Sequence, residues 1–351
     1  MKYFLFPISL LFIVISNIRK FFYKAQIFHS ITFDIPVIGI GNIKVGGTGK
    51  SPHTLFIANL LLKNNYYPGI ISRGYGRYSS GFRLATCTST YRDIGDEPMM
   101  YFLKNPNIPI AVCENRAIGI PHLLDTNEQI NTVIMDDSFQ HLAVKPSYNI
   151  LLTEMNDLYT DDWWLPIGGL RDDKNVAAKA NCIIITKCTN LTSVKKNEII
   201  NKILPLPHQR VFFSQIVYGS LFEAVTKQSF QLSLCNTSVL LVTGIAQPLP
   251  LQEYISNKVK HCVSLHFNDH HNYNFTDLAK IKLLFDGIDD TNKCIITTEK
   301  DAARLHYFSQ WFVDNNLKYY VQPIEIELLD NAIEFESEIV TFLNNFPTFV
   351  S

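Results

Sequence analysis

The chain has 351 residues, enough for two domains, and with 47% hydrophobic and 18% charged residues it reads as globular, slightly greasier and less charged than average. A formal charge of −1 gives no overall pull toward nucleic acid, so any polyanion site has to be local. The seven cysteines are odd in number, widely scattered and form no CxxC pair, which argues for reduced thiols in a cytosolic compartment and against a zinc site.

The first element is the uncharged stretch "YFLFPISLLFIVISNI", residues 3–18, followed by Arg19, Lys20 and Lys24, with no acidic residue before Asp34. A bilayer span needs about 20 apolar residues, and this run contains Pro7, Ser9, Ser16 and Asn17. It is also a poor secretory leader, because most of its charge follows the apolar part and no small-residue cleavage site appears. Over residues 1–30 an interfacial helix suits the pattern better than a span or a helix packed on the core: apolar side in the acyl region, basic group on anionic headgroups.

From residue 31 to 218 short apolar or β-branched runs recur at 36–42, 68–73, 108–113, 132–137, 149–154 and 182–187, several separated by enough chain for a crossover helix. Near-continuous apolar strands of this kind predict an α/β fold with a mostly parallel sheet covered on both faces. The texture changes over 219–237, read as a linker. A second set of runs at 238–246, 262–267, 294–301 and 319–328 predicts a smaller α/β domain over 238–351.

The motif in the first domain is "GNIKVGGTGKSP", residues 41–52. A strand feeds a glycine-rich turn, and Gly49, Lys50 and Ser51 start a helix with Pro52 in its first turn, where a missing N–H does no harm. This is phosphate-loop architecture. The backbone of Gly46, Gly47, Thr48 and Gly49 converges on phosphate oxygens, Lys50 neutralises β/γ charge, and the Ser51 hydroxyl can ligate Mg²⁺. The first glycine of the common rule would fall at Lys44. The spacing resembles the variant loop of the dimeric-ATPase class, although Val45 occupies that class's extra lysine position. "TVIMDD" ends an apolar strand in Asp136 and Asp137, which delivers carboxylates to Mg²⁺ at the carboxyl edge of a parallel sheet; Gln140 and His141 lie just beyond. Lys187, after "CIIIT", either frames a nucleotide base or simply ends a strand. Trp163 and Trp164 in "YTDDWWLP" either meet lipid or pack internally.

"GNIKVGGTGKSP", "ISRGYGR" (71–77), "GDEP" (95–98), "DDSFQH" (136–141), "LPIGGLRD" (165–172), "VTGIAQP" (242–248), "NDHHNY" (268–273) and "TTEKDAAR" (297–304) occur in the order and spacing of the tetraacyldisaccharide 4′-kinases, the lipid A 4′-kinases. The chain resembles that family from its N-terminal helix to the last of these motifs. The resemblance implies a P-loop NTPase core carrying a membrane-associated helix and joined by a β-ribbon to a smaller α/β domain. It implies transfer of the γ-phosphate of ATP, with Mg²⁺, to the 4′-hydroxyl of tetraacyldisaccharide 1-phosphate. The reaction would take place at the cytoplasmic face of the bacterial inner membrane, with the lipid and the membrane surface as partners, no nucleic acid, and no obligate protein partner evident.

By the same resemblance Asp96 of "GDEP" is the base. His270, with Asp269 beside it, supports that base, and His271 is the rival within the pair. Arg73, Arg77, Arg116 and Arg171 stand where a guanidinium either clamps phosphate or is simply a surface charge, with Arg171 the foremost candidate for the clamp. The chain departs from the family's "LPAGPLRE" at Ile167, Gly169 and Asp172, which predicts a more flexible loop and puts the role of Asp172 in doubt. Ser138 replaces the glycine of "DDGFQH", tolerable only if the backbone there avoids positive φ. Two other classes compete: a P-loop switch ATPase, against which "GDEP" and "DHH" stand, and a membrane-associated binding module with a relic loop, against which Lys50, Ser51, Asp136 and Asp137 stand.

Overall fold

Among the described residues nine strands form one sheet and five another, and the chain passes between them twice. The computed structural model describes residues 2–229 and 234–347, with residues 2–4 described by backbone alone. The strands are β1 Val37–Gly41, β2 Pro68–Ser72, β3 Arg83–Leu84, β4 Ile110–Val112, β5 Thr132–Asp136, β6 Tyr148–Glu154, β7 Cys182–Thr186, β8 Arg210–Tyr218, β9 Phe222–Glu223, β10 Ser238–Thr243, β11 His261–His266, β12 Lys293–Thr298, β13 Tyr319–Gln322 and β14 Ile324–Leu328. The helices are α1 Lys2–Lys24, α2 Lys50–Lys63, α3 Tyr91–Ile94, α4 Asp96–Lys104, α5 Arg116–Thr126, α6 Ser193–Ile203, α7 Leu249–Ser256, α8 Phe275–Asp286, α9 Glu299–Leu305, α10 Ser309–Asp314 and α11 Ala332–Asn344.

The large sheet runs β14-β8-β7-β6-β1-β5-β2-β4-β3 and is parallel from β8 to β4, with one antiparallel strand at each edge. Its central strands β1, β2, β5 and β7 are buried at every residue. This is why they read as unbroken apolar runs rather than alternating ones. β1 lies between β5 and β6, so the loop after β1 and the acidic end of β5 emerge side by side at the same sheet edge. The small sheet runs β11-β10-β12-β13-β9, parallel except at β9.

At the C-terminus the strands pair otherwise than the run pattern suggests. Residues 319–328, read as one strand of the second domain, form two strands in different sheets. β13 pairs with β12, whereas β14 crosses back to pair antiparallel with β8. Pro323 sits between them, and a residue without an N–H cannot continue a ladder. Helix α11 then places Phe335, Ile339 and Leu343, spaced four apart, in the same core as Ile38, Ile40 and Leu55. The tail of 238–351 therefore completes the first unit, and the second is inserted between β8 and β14. Of the predicted linker, residues 222–223 form β9, and residues 230–233 lie outside the described residues.

Candidate active site

The glycine cluster after β1 forms an open turn whose backbone only glycine adopts without strain: φ is +113° at Gly46 and +85° at Gly49. A Cβ on Gly46 would meet nothing within 4 Å, so it is the positive φ and not crowding that calls for glycine there. The turn is held from behind. Asn42 Nδ2 donates to Thr48 Oγ1 at 2.8 Å, and Thr186 Oγ1 at the end of β7 donates to the Thr48 carbonyl at 2.9 Å. His53 Nδ1 lies 2.7 Å from the Gly49 carbonyl and its Nε2 3.0 Å from Ser214 Oγ. Burial lowers its pKa to about 4, so the ring is neutral, with Nδ1–H donating to Gly49. Helix α2 opens directly behind the turn and aims its unpaired amides at it. Lys44, where the common rule has glycine, is buried against Asp157 and Asp162, and the Val45 N–H donates to the Gly169 carbonyl at 2.7 Å, which ties the turn to the "LPIGGLRD" loop.

Acidic groups crowd the space in front of the turn. Asp136 is 1% exposed and accepts hydrogen bonds from Tyr101 OH (3.1 Å), Ser72 Oγ (3.2 Å) and Thr54 Oγ1 (3.4 Å). Burial, then the charges of Glu97 and Asp137, raise its pKa to about 6. Asp137, at φ +48°, carries the positive φ that the sequence reading feared at Ser138, which avoids that region. Burial pulls the Asp137 pKa up, but Arg171, at 2.8 and 3.2 Å, and the Lys50 charge hold it below the usual range. Lys50 Nζ stands 3.7 Å from Asp137 Oδ1 and 3.4 Å from Asn42 Oδ1. Ser51 Oγ donates to Glu97 Oε1 at 2.8 Å, and Lys300 of the second unit reaches the same oxygen at 2.7 Å.

Asp96 is the first residue of α4. Gly95 before it has φ +91°, and a Cβ there would lie 2.9 Å from the Tyr75 carbonyl, so "GDEP" needs its glycine. Asp96 is 6% exposed, and its Oδ2 lies 2.7 Å from Nδ1 of His270, which reaches across from the second unit. Burial pulls the Asp96 pKa up, but the hydrogen bond from His270 and the charges of His270, Lys300 and Arg304 hold it below the usual range. The bond to Asp96 in turn raises His270. His271 faces its own domain, with Nε2 2.9 Å from Asp277 and its ring stacked on Phe267 at 4.5 Å.

A cavity of about 670 Å³ opens between this site and α1, lined by Arg19, Arg73, Arg116, Gln140, His141 and Arg171 among others. Arg116 is buried, with its Nε unpartnered and one Nη 3.4 Å from the Asp136 carbonyl. His141 has an unpartnered buried Nε2. Burial, then the charges of Arg116, Arg19 and Arg73, lower its pKa to about 4. Gln140 Nε2 donates to the Asn42 carbonyl at 2.9 Å. Arg77 is turned the other way, onto the Gly81 carbonyl and Glu114, where it closes its own loop. Asp172 pairs with Lys20 of α1. Sequence reasoning missed Glu97 and Lys300, whose signal was present as a second acid in "GDEP" and a lysine in "TTEKDAAR".

A glycine turn opening a helix, a lysine and a hydroxyl in that helix's first turn, and carboxylates at the end of the neighbouring parallel strand define a P-loop nucleotide-binding protein. The chain belongs to the tetraacyldisaccharide-1-P 4′-kinase (LpxK) family, whose model matches residues 1–344. It is similar to the tetraacyldisaccharide 4′-kinase of Bacteroides thetaiotaomicron, 38% identical over 352 residues that cover 97% of this chain and 92% of that one. The tetraacyldisaccharide 4′-kinase of Flavobacterium johnsoniae is 37% identical over 342 residues, 97% of this chain and 96% of that one. Among solved structures, LpxK from Aquifex aeolicus, an "apo" form in complex with ATP, matches with a TM-score of 0.75 at 22% identity, over 97% of this chain and 99% of that one. That likeness gives the shared fold. The family resemblance carried by the motifs is borne out along the whole chain.

Proposed function

We propose that the chain transfers the γ-phosphate of ATP to the 4′-hydroxyl of tetraacyldisaccharide 1-phosphate, yielding lipid IVA and ADP, with Asp96 accepting the hydroxyl proton. The observation that carries this reading is the 2.7 Å contact between Asp96 and His270. It lies one residue from Glu97, which touches Ser51 of the phosphate loop. A switch ATPase needs no buried carboxylate–imidazole pair beside its loop; a kinase acting on a weakly nucleophilic sugar hydroxyl does. In the step, the hydroxyl O–H breaks toward Asp96, the sugar oxygen bonds to the γ-phosphorus, and the bond to the β-phosphate oxygen breaks. His270 stabilises Asp96 in the ionised form that receives the proton. Lys50 and Arg171, both now resting on Asp137, are the cations at hand for the phosphoryl oxygens.

The donor set suits Mg²⁺. Ser51, Asp136 and Asp137 offer hard oxygens, and the charges of Glu97 and Asp137, which add to burial in lifting Asp136 to about 6, are what a dication offsets. Among the described residues no group of three or more His, Cys, Asp or Glu side chains could by itself hold a metal ion. Bound there, Mg²⁺ would neutralise charge on the β- and γ-phosphate oxygens. Arg73, Arg116, Gln140 and His141, around the cavity beneath α1, hold the anionic sugar headgroup. Helix α1 carries an exposed apolar face, including Phe6, Leu10, Leu11, Ile15 and Ile18, and rests it in the cytoplasmic leaflet of the inner membrane. The second unit, inserted between β8 and β14, carries His270 toward Asp96. Incubation with γ-labelled ATP and the disaccharide lipid tests the reading. Label should enter the lipid; label only in free phosphate would favour the switch ATPase, and no transfer at all the relic loop.

A further inference from the structure

We infer that Trp163 is a second membrane contact of this chain, set into the lipid–water interface beside α1; the inference rests on the interfacial reading of α1 given above. Helix α1 is built inside out. The residues turned toward the protein are Leu5, Ser9, Ile13, Ser16, Lys20, Phe22 and Tyr23, a helical stripe that includes two serines and a lysine, while the outward face from Phe6 to Ile18 is apolar apart from Asn17. The stripe pins the helix along most of its length. Ser9 Oγ donates to the Trp164 carbonyl at 3.2 Å, and Phe12 meets the Trp164 ring edge-on at 6.1 Å. Lys20 Nζ lies 5.7 Å over that ring and also pairs with Asp172. A helix so fastened cannot cross a bilayer without drawing the polar core in after it. It lies along the surface, and whatever flanks it meets the same headgroups.

Trp163 is that flank. Its neighbour Trp164 spends its ring on α1, while Trp163 is 67% exposed, one residue from the carbonyl that holds Ser9. The loop presenting it is rigid. Asp162 Oδ1 accepts from the Trp163 N–H at 2.7 Å, and its Oδ2 accepts from the Gly169 N–H at 2.9 Å and pairs with Lys44 at 2.8 Å. A proline at 169 would lack that N–H, so the departure from the family pattern, expected to loosen the loop, here supplies a bond that braces it. Asp162 is neutralised by these partners and leaves no free charge at the base of the indole. An exposed large aromatic with one polar N–H, held on a braced loop beside a lipid-facing helix, matches the amphipathic character of the interfacial region.

Flotation of the full-length protein with phosphatidylethanolamine–phosphatidylglycerol vesicles tests this, alongside quenching of tryptophan fluorescence by lipids brominated on their acyl chains. Trp163→Ala should weaken partitioning about tenfold, the order expected for withdrawing about 55 Å² of apolar indole surface, a partly inserted ring, from the interface. Trp163→Phe should fall between and lose most of the quenching. Leu283→Ala, equally exposed but on the second unit, should partition like the wild type. The paired Leu11→Glu and Ile15→Glu substitutions test α1 itself. If they release the protein but Trp163→Ala does not, or if quenching survives in Trp163→Phe, Trp163 is not a contact. If they leave partitioning intact, the reading of α1 fails instead. ATP-dependent thermal stabilisation of each variant checks that the core is folded.

Discussion

The charge of Asp136 works against the stability of the empty site, and removing it should show by how much. The folded protein holds this carboxyl at a pKa of about 6 against an ordinary 3.8. At about 1.4 kcal/mol per pKa unit, keeping it ionised at pH 7.5 costs about 3 kcal/mol. Asp136→Asn removes that cost. The amide oxygen still accepts from Ser72 and Tyr101, and its NH₂ takes the side facing Thr54, whose hydroxyl turns to accept. That rearrangement returns about 1 kcal/mol. The nucleotide-free variant should therefore be about 2 kcal/mol more stable than the wild type at pH 7.5, a rise of a few degrees in Tm, while losing most of its kinase activity. The sign reverses with pH in a defined way. A carboxyl with a raised folded pKa binds its proton more tightly when folded, so its penalty is full above about pH 6 and gone below the unfolded value of 3.8. The gain should hold from pH 7.5 to a little above 6 and shrink between there and pH 4. Thermal melts of both proteins across that range measure it. A variant less stable than the wild type at pH 7.5, or a gain that does not change with pH, would refute the assignment of Asp136 as a strained, unneutralised charge.

Lys50→Ala should lower turnover roughly 100-fold or more with little change in Tm, because the ammonium is partly exposed and meets only Asp137 and Asn42; steady-state kinetics and a melt decide both halves. Asp96→Asn should cut kcat far more than it raises either KM, and His270→Ala should do so to a smaller extent. His271→Ala should instead cost stability, through the lost bond to Asp277, and leave kcat nearly unchanged. The His270–Asp96 contact should also be pH-dependent. His270 gains affinity for its proton from Asp96, so its contribution is complete below the ordinary imidazole pKa of 6.5 and is lost as pH rises through the raised value. The difference in Tm between wild type and His270→Ala should be larger at pH 6 than at pH 9.

Local signals in the sequence were enough for what is local in the structure. Strand runs buried on both faces, the turn with its left-handed glycines, and the acids at the end of β5 each follow from a few consecutive residues. Long-range pairing was not legible. Nothing in "YYVQPIEIEL" says that the residues after Pro323 join a strand more than a hundred positions earlier, although the proline marks the place where one strand has to end. The pairing of Glu97 with Lys300, and of His270 rather than His271 with Asp96, depends on how two units meet, which no local pattern encodes. Arg77 shows the opposite error. Its motif marked it as a phosphate clamp, but the left-handed backbone at Gly74, Gly76 and Gly81 folds its loop so that the guanidinium serves Glu114 and a carbonyl.

The return of β14 bears on how the site is completed. Because the second unit is inserted between β8 and β14, it hangs from the core on two neighbouring strands rather than one flexible linker. Those strands are bonded to each other where they leave the large sheet. Gly219 N–H donates to the Pro323 carbonyl at 3.0 Å, and Gln322 Nε2 donates to the Gly219 carbonyl at 2.7 Å. A paired connection of this kind restricts twisting while still allowing it to bend. Beyond it, many of the contacts between the units are polar: Lys300 to Glu97, Lys104 to Glu299, Lys187 to Gln247 and His270 to Asp96. The Lys300–Glu97 and Lys187–Gln247 contacts are partly exposed and readily exchanged for water, unlike a continuous apolar interface. One of them, Glu97, is shared directly with Ser51 of the phosphate loop. A ligand that draws the Ser51 hydroxyl away leaves Glu97 to Lys300 alone, so occupation of the loop and the seating of the second unit act on the same carboxylate. Asp96, the proposed proton acceptor, stands on one unit and His270 on the other, and the Glu97 carboxylate lies next to Asp96 in the chain.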